Sequence, residues 1–143
     1  FDVFLQKRLF GPLGMEDTGF YLPAEKAGRL VAVQKPEGGK WVRYPVTFYD
    51  PEYPIKGAKS FFSGGAGLCS TARDYATFLQ MYLNAGELGG VRILSRTTVE
   101  MILSEQVGRD LFGGGDKHYG LAFGVVTEKG QAKGGEGSAG TFD

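Results

Sequence analysis

The chain has 143 residues, 42% of them apolar, which suits one domain or part of a larger one with a real core and argues against disorder. Sixteen basic side chains balance 16 acidic ones, so there is no electrostatic footprint for nucleic acid or an anionic membrane. Apolar runs fall far short of the roughly 18 residues of a spanning helix, no signal-peptide pattern is seen, one cysteine excludes a disulfide framework and a Cys-based zinc site within one chain, and no cofactor is expected.

Phe1, Phe4, Leu5 and Leu9 share one helical face, and Gly11-Pro12 is expected to stop that helix. Gly14 to Gly19 reads as a turn. Val31–Gln34 and Trp41–Val46 are expected as short strands about Gly38-Gly39. Pro45, Pro51 and Pro54 predict an irregular loop, long enough to be functional or part of a larger wall. A glycine-rich stretch, Ser60 to Thr71, leads into a helix capped by Thr71, with Asp74 as capping-box partner. Its buried stripe is expected at Tyr75, Phe78, Leu79, Tyr82 and Leu83. Asn84-Ala85-Gly86 ends it. Ser95 caps a shorter helix with Val99, Ile102 and Leu103 inward. Tyr119–Val126 alternates large and small residues, which predicts one strand with a small-residue face. Ser138–Phe142 is expected to begin another. The chain starts inside an apparent helix and stops just after an apolar stretch has begun, so both ends read as cut.

No lysine has a serine three residues before it, so no Ser-x-x-Lys is present. Tyr82-Leu83-Asn84 matches Tyr-x-Asn, but Tyr82 falls on an apolar stripe and reads as core. Gly113-Gly114-Gly115 lacks the Lys-Ser/Thr of a phosphate loop and reads as a surface turn. His118 has no Gly-x-Ser-x-Gly elbow to serve and reads as a loop or strand-edge residue. Cys69 reads as a small buried hydrophobe.

Five segments recur in a telling order: Pro12-Leu13-Gly14-Met15-Glu16-Asp17-Thr18-Gly19-Phe20, Gly64 to Tyr75, Leu83-Asn84-Ala85-Gly86-Glu87-Leu88, Tyr119 to Gly124, and Gly137-Ser138-Ala139-Gly140-Thr141. Together they resemble the serine β-lactamase-like family, which includes class C β-lactamases, penicillin-binding-protein-like carboxypeptidases and family VIII esterases. The resemblance implies an α+β fold, an α/β sandwich plus a helical domain with the active site between them. Residues 1–110 would then hold most of the helical and loop region, and 111–143 the start of the antiparallel sheet that follows. The family's Ser-x-x-Lys and Tyr-x-Asn motifs would lie upstream of Phe1.

The resemblance also implies a site. Anchored on Gly-x-Ala-Gly-Thr, the third family motif falls at Glu136-Gly137-Ser138, and Ala139 would offer its backbone N–H to the oxyanion hole. A competing register places Lys133-Gly134-Gly135 there, with Glu136 giving the N–H. That register breaks the Gly-x-Ala-Gly-Thr anchor, whereas Gly137, Ser138 and Gly140 supply the small residues needed for the substrate carbonyl to lie against the strand backbone. Glu136 stands where many members carry lysine. It would repel a substrate carboxylate at a cost of about 1 kcal/mol or more, which favours neutral or cationic esters and amides. The Phe61–Gly67 loop would line the acyl side, with Phe61 and Phe62 as wall and Gly65 and Ala66 leaving room.

The expected function is therefore acyl transfer by an upstream serine on a small-molecule ester or amide, with this chain alone inactive. A non-catalytic module that kept the fold is the alternative. Protein partners would be the missing N-terminal half or a second copy. Periplasm and cytoplasm both remain open as compartments.

Overall fold

The computed structural model describes residues 1–47, 50–65, 67–107, 117–128 and 137–142. These fall in two compact units, residues 1–78 and 79–143.

The first unit opens with α1 (Asp2–Leu5), which runs through a π-helical turn (Gln6–Phe10) into α2 (Gly11–Leu13). The expected stop at Gly11-Pro12 does not occur. Gly11 donates its N–H to the Gln6 carbonyl five residues back, and Pro12 sits in the first turn of α2, where its missing N–H is not needed. The stop comes at Gly14, at φ 66. Gly14 N–H bonds to Gly11 O at 3.0 Å and Met15 N–H to Phe10 O at 2.8 Å, the two bonds of a Schellman ending. The wide turn also shifts the phase of the helix. Phe10 and Leu13 are buried with Met15 and Phe20, while Phe1 and Phe4 are exposed and Leu5 and Leu9 half-buried.

A 3-10 helix spans Ala24–Arg29. Strands β1 (Gln34–Glu37) and β2 (Lys40–Arg43) pair antiparallel, Glu37 opposite Lys40. Gly38 and Gly39 form the two-residue loop at φ 57 and 76, as a type I′ turn requires. The strands lie closer to the turn than expected. Pairing spreads outward from the tight loop, with one further bond from Tyr44 N–H to Val33 O, and Val31 is left exposed. One helical turn, α3 (Tyr53–Lys56), interrupts the loop expected around the prolines, and Pro54 at its start is buried.

Helix α4 (Ala72–Leu83) is capped as expected, Thr71 Oγ1 accepting from Asp74 N–H at 3.2 Å. The reciprocal half of a capping box is missing. Asp74 instead turns its carboxylate to the segment after α2. Oδ2 accepts from Asp17 N–H at 2.9 Å and from Thr18 Oγ1 at 2.8 Å, at a residue only 6% exposed. Thr18, having donated there, accepts from Ser70 Oγ at 2.8 Å. Gly19 and Cys69 then exchange two backbone bonds, 3.0 and 2.8 Å, as an isolated antiparallel bridge. The buried line of α4 includes Asp74, Met81 and Tyr82, whereas Tyr75 and Leu83 are 52% and 67% exposed. The expected stripe was rotated because it left Asp74 out. A carboxylate that accepts two hydrogen bonds occupies an inward position that hydrophobicity alone assigns to solvent.

In the second unit α4 ends at Ala85 and Gly86, both at positive φ, with Gly86 N–H bonded to Met81 O at 2.9 Å. Strands β3 (Glu87–Leu88) and β4 (Val91–Arg92) form a hairpin on Gly89-Gly90, again both at positive φ. Helix α5 (Arg96–Leu103) is capped by Ser95 Oγ, which accepts from Thr98 N–H at 3.0 Å, and Val99 is buried. The single strand expected over Tyr119–Val126 is a hairpin, β5 (Lys117–Tyr119) against β6 (Gly124–Val126). Gly120 closes its turn by donating to Phe123 O at 2.9 Å. A Cβ on Gly120 would fall on the Ile102 carbonyl oxygen, so the small residue serves a close backbone approach. Tyr82, Phe123 and Phe142 pack edge to face or tilted, with ring centroids 5.1 to 6.2 Å apart.

Two donors converge on one buried carboxylate oxygen, and hydrogen bonds to charged groups contribute about 1.5–3 kcal/mol each. Asp74→Ala is expected to destabilise the fold by about 2–4 kcal/mol in urea unfolding, against about 1 kcal/mol for Thr71→Ala, which removes only a cap. Equal midpoints for Asp74→Ala and the parent would show that the carboxylate is dispensable.

Candidate functional site

The loop after α3 is shaped by what lies beneath it. Gly67 N–H bonds to Ser63 O at 3.1 Å and closes a turn over Gly64 and Gly65. A Cβ at Gly67 would press on that same carbonyl oxygen and on the Phe20 ring. Phe62 is half-buried, its ring 5.3 Å from Phe20 and 6.0 Å from Tyr21, both edge to face. Phe61 is 65% exposed and is tied by its backbone, the carbonyl accepting from Tyr21 Oη at 2.7 Å. Because Tyr21 spends its one proton there, its contact with Tyr53 Oη at 2.9 Å has Tyr53 as donor. That bond holds the Tyr53 phenol above its ordinary pKa, with burial adding to the effect. Phe62 also lines a cleft of about 450 Å³ together with Val3, Phe10, Phe20 and Lys26.

Of the residues expected on the acyl side, Phe61, Phe62 and Gly65 therefore sit on one loop. Ala66 lies outside the described residues. Tyr21 and Tyr53 were not anticipated. Their partners lie 32 and 40 residues away along the chain, and no local pattern announces such a pairing.

The other expected cluster is a turn in the second unit. Thr141 N–H bonds to Ser138 O at 3.0 Å, and Gly140 between them is at φ 87, the third position of a type II turn. Gly140 N–H donates to Val126 O at 2.9 Å and Val126 N–H to Thr141 O at 2.8 Å, while Phe142 bridges to Val125. The expected strand over Ser138–Phe142 is thus a turn followed by one bridge to the edge of β6. Gly137, Ser138 and Ala139 are exposed. A side chain at Gly137 would press on Thr141. Glu136, the competing Lys133-Gly134-Gly135 register and Gly113-Gly114-Gly115 lie outside the described residues.

His118 is buried on β5, its Nδ1 2.5 Å from the Glu105 carboxylate though not in hydrogen-bonding geometry. Among the described residues no group of His, Cys, Asp and Glu is arranged to hold a metal ion, and no helix is long and apolar enough to cross a membrane. Burial raises the Cys69 thiol above its usual pKa, which disfavours the thiolate. The strongest electrostatic feature is Asp17, which borders the cleft. Arg29 grips both its oxygens at 2.8 Å, and Lys26 Nζ reaches Oδ1 at 2.6 Å and the Glu16 carbonyl at 2.8 Å. These bonds, Arg29 first and then Lys26, hold its carboxyl far below the usual carboxylate range.

Helices with small antiparallel hairpins are the parts of an α+β fold of the β-lactamase kind. The profile of the β-lactamase family matches residues 1–143 in full, so the chain belongs to that family. It is 33% identical over 148 residues to Protein Rv1367c of Mycobacterium tuberculosis, covering 96% of this chain and 36% of that protein. The chain thus spans about a third of the curated relative's length. Among solved structures, it superposes with a TM-score of 0.77 on EstCE1, described as a hydrolase with promiscuous acyltransferase activity, at 22% identity over 99% of this chain and 39% of that one. A penicillin-binding protein homolog from Caulobacter crescentus superposes at 0.64, with 21% identity over the same shares, 99% and 39%. At these identities the structural likeness is one of fold.

Because its folded pKa is depressed, the stabilisation from Asp17 is complete above the ordinary carboxylate pKa of about 3.9 and is lost as pH falls toward the folded value. Asp17→Asn is expected to lower Tm at pH 7 and to make the decline below about pH 4 shallower. One molar salt should narrow the difference at pH 7, since the cluster is partly exposed. Melting curves of parent and variant from pH 2 to 7 check this, and curves that run parallel would contradict it.

Proposed function

We propose that this chain is the pocket-wall portion of a serine hydrolase that transfers acyl groups from small neutral or cationic esters or amides. The attacking serine, with the lysine and tyrosine that activate it, comes from residues outside 1–143. The serine hydroxyl adds to the substrate carbonyl and gives up its proton through those partners to the leaving alcohol or amine. Water, or another alcohol, then takes the acyl group. Ala139 N–H receives the carbonyl oxygen as it turns negative. Gly137 and Ser138 keep the approach open, and Glu136 discourages anionic substrates. Phe61, Phe62, Gly65 and Ala66 form the acyl-side wall.

The observation that supports this reading most is the exposed type II turn at Ser138–Thr141. It is fastened to β6 through Gly140 and Thr141, so its fixed geometry rests on the residues that follow Ala139. A preorganised N–H of this kind contributes roughly 10²–10³-fold in kcat. The family match over residues 1–143 supplies the chemical context.

Ala139 occupies the second position of the turn, which accommodates proline. Ala139→Pro in the full-length protein removes the N–H and keeps a φ that this turn position adopts. Turnover of p-nitrophenyl butyrate is expected to fall about 10²–10³-fold. Undiminished turnover would remove Ala139 from the mechanism. Residues 1–143 alone should take up no fluorophosphonate on serine, and stoichiometric labelling would show that the nucleophile lies within this chain.

A further inference from the structure

We propose that Tyr21 and Tyr53 are positioning residues, a hydroxyl latch that fixes the Phe61–Gly67 loop and thereby sets which acyl chains the pocket accepts. The inference rests on the reading of that loop as the acyl-side wall.

Phe61 carries an aromatic ring into solvent with little packing to hold it, yet its peptide carbonyl is fastened at 2.7 Å by Tyr21 Oη. A side chain exposed in this way is aimed by its backbone. The backbone here is aimed by one hydroxyl, whose proton is committed to the carbonyl because Tyr53 supplies the second proton at 2.9 Å. Two hydroxyls in series polarise one another, so the outer bond strengthens the inner. The rings pack to suit: Tyr21 lies 5.6 Å from Tyr53, tilted, and 6.0 Å from Phe62, edge to face. The preceding residue works on the far end of the same loop. Phe20 packs on Phe62 and closes the space at Gly67. Tyr53 is itself held, since α3 is tied to the same segment through Leu22 N–H and Pro54 O at 3.0 Å. Consecutive residues 20 to 22 thus grip the loop at both ends and brace its support. If that loop is the acyl-side wall, a long aliphatic acyl chain has more apolar surface to lay against it than an acetyl group has.

The test uses the full-length protein with Tyr21→Phe, Tyr53→Phe and the double variant. Each change removes one oxygen and keeps the ring. For Tyr21→Phe, the ratio of kcat/KM on p-nitrophenyl octanoate to that on p-nitrophenyl acetate is expected to fall about 3- to 10-fold, the size of one hydrogen bond, through KM on the octanoate. Tyr53→Phe should give a smaller drop in the same direction, and the double variant should match Tyr21→Phe, because Tyr53 acts through Tyr21. Hydrogen exchange at residues 61–67 should quicken in Tyr21→Phe. An unchanged ratio, or a Tyr53 effect of full size when Tyr21 is already phenylalanine, overturns the proposal. A parent protein that turns over neither ester defeats the hydrolase reading together with the selectivity claim. Hydrogen exchange then still reports whether the latch exists, so the two failures are told apart.

Discussion

The first unit depends on one carboxylate. Asp74 lies in the first turn of α4, where the helix dipole favours a negative charge, and it accepts from both Asp17 and Thr18 on a single oxygen. Everything from Asp17 to Leu22 is then delivered in register: Thr18 to Ser70, Gly19 to Cys69, Tyr21 to Phe61 and Tyr53, Leu22 to Pro54. Asp17 is fastened from the other side by Lys26 and Arg29. A six-residue segment with almost no regular structure of its own thus organises residues 32 to 57 positions away through its own hydrogen bonds.

Local chemistry announced itself well where glycine or a hydroxyl had a single job. Thr71 and Ser95 cap their helices as their positions demand, and the Gly38-Gly39 turn sits where the sequence puts it. The same signal, Gly89-Gly90 between Leu88 and Val91, marks a hairpin whose strands are only two residues long. The errors share a cause. Periodicity counts side chains and not the backbone atoms beside them. Tyr119–Val126 alternates like a strand, yet Gly120 is small because the Ile102 carbonyl occupies the space of its Cβ, and the chain turns there. On α4 the inward line runs through Asp74, a position that hydrophobicity does not mark.

For the site, order carried more than any single motif. Five weak segments in sequence indicated the β-lactamase family, and the family match covers the same residues. What no pattern conveyed was how the loop and the turn are held. Tyr21 and Tyr53 are ordinary aromatics until their hydroxyls are placed, and Ala139 is ordinary until the residues after it are fastened to Val126. Contacts across thirty or forty residues leave no periodic trace, so the residues that brace a pocket are harder to read than those that fill it.

The π-helical turn at Gln6–Phe10 has a consequence for comparing this protein with others. A wide turn accommodates one residue beyond the α-helical count, so its loss would tighten the coil without breaking it, while rotating everything before it by about 100° relative to Phe10. Relatives that lack the extra residue would show a one-position gap inside a helix and yet reach the same bend at Gly14. Such a gap would be misread as a loop, although both chains are helical throughout.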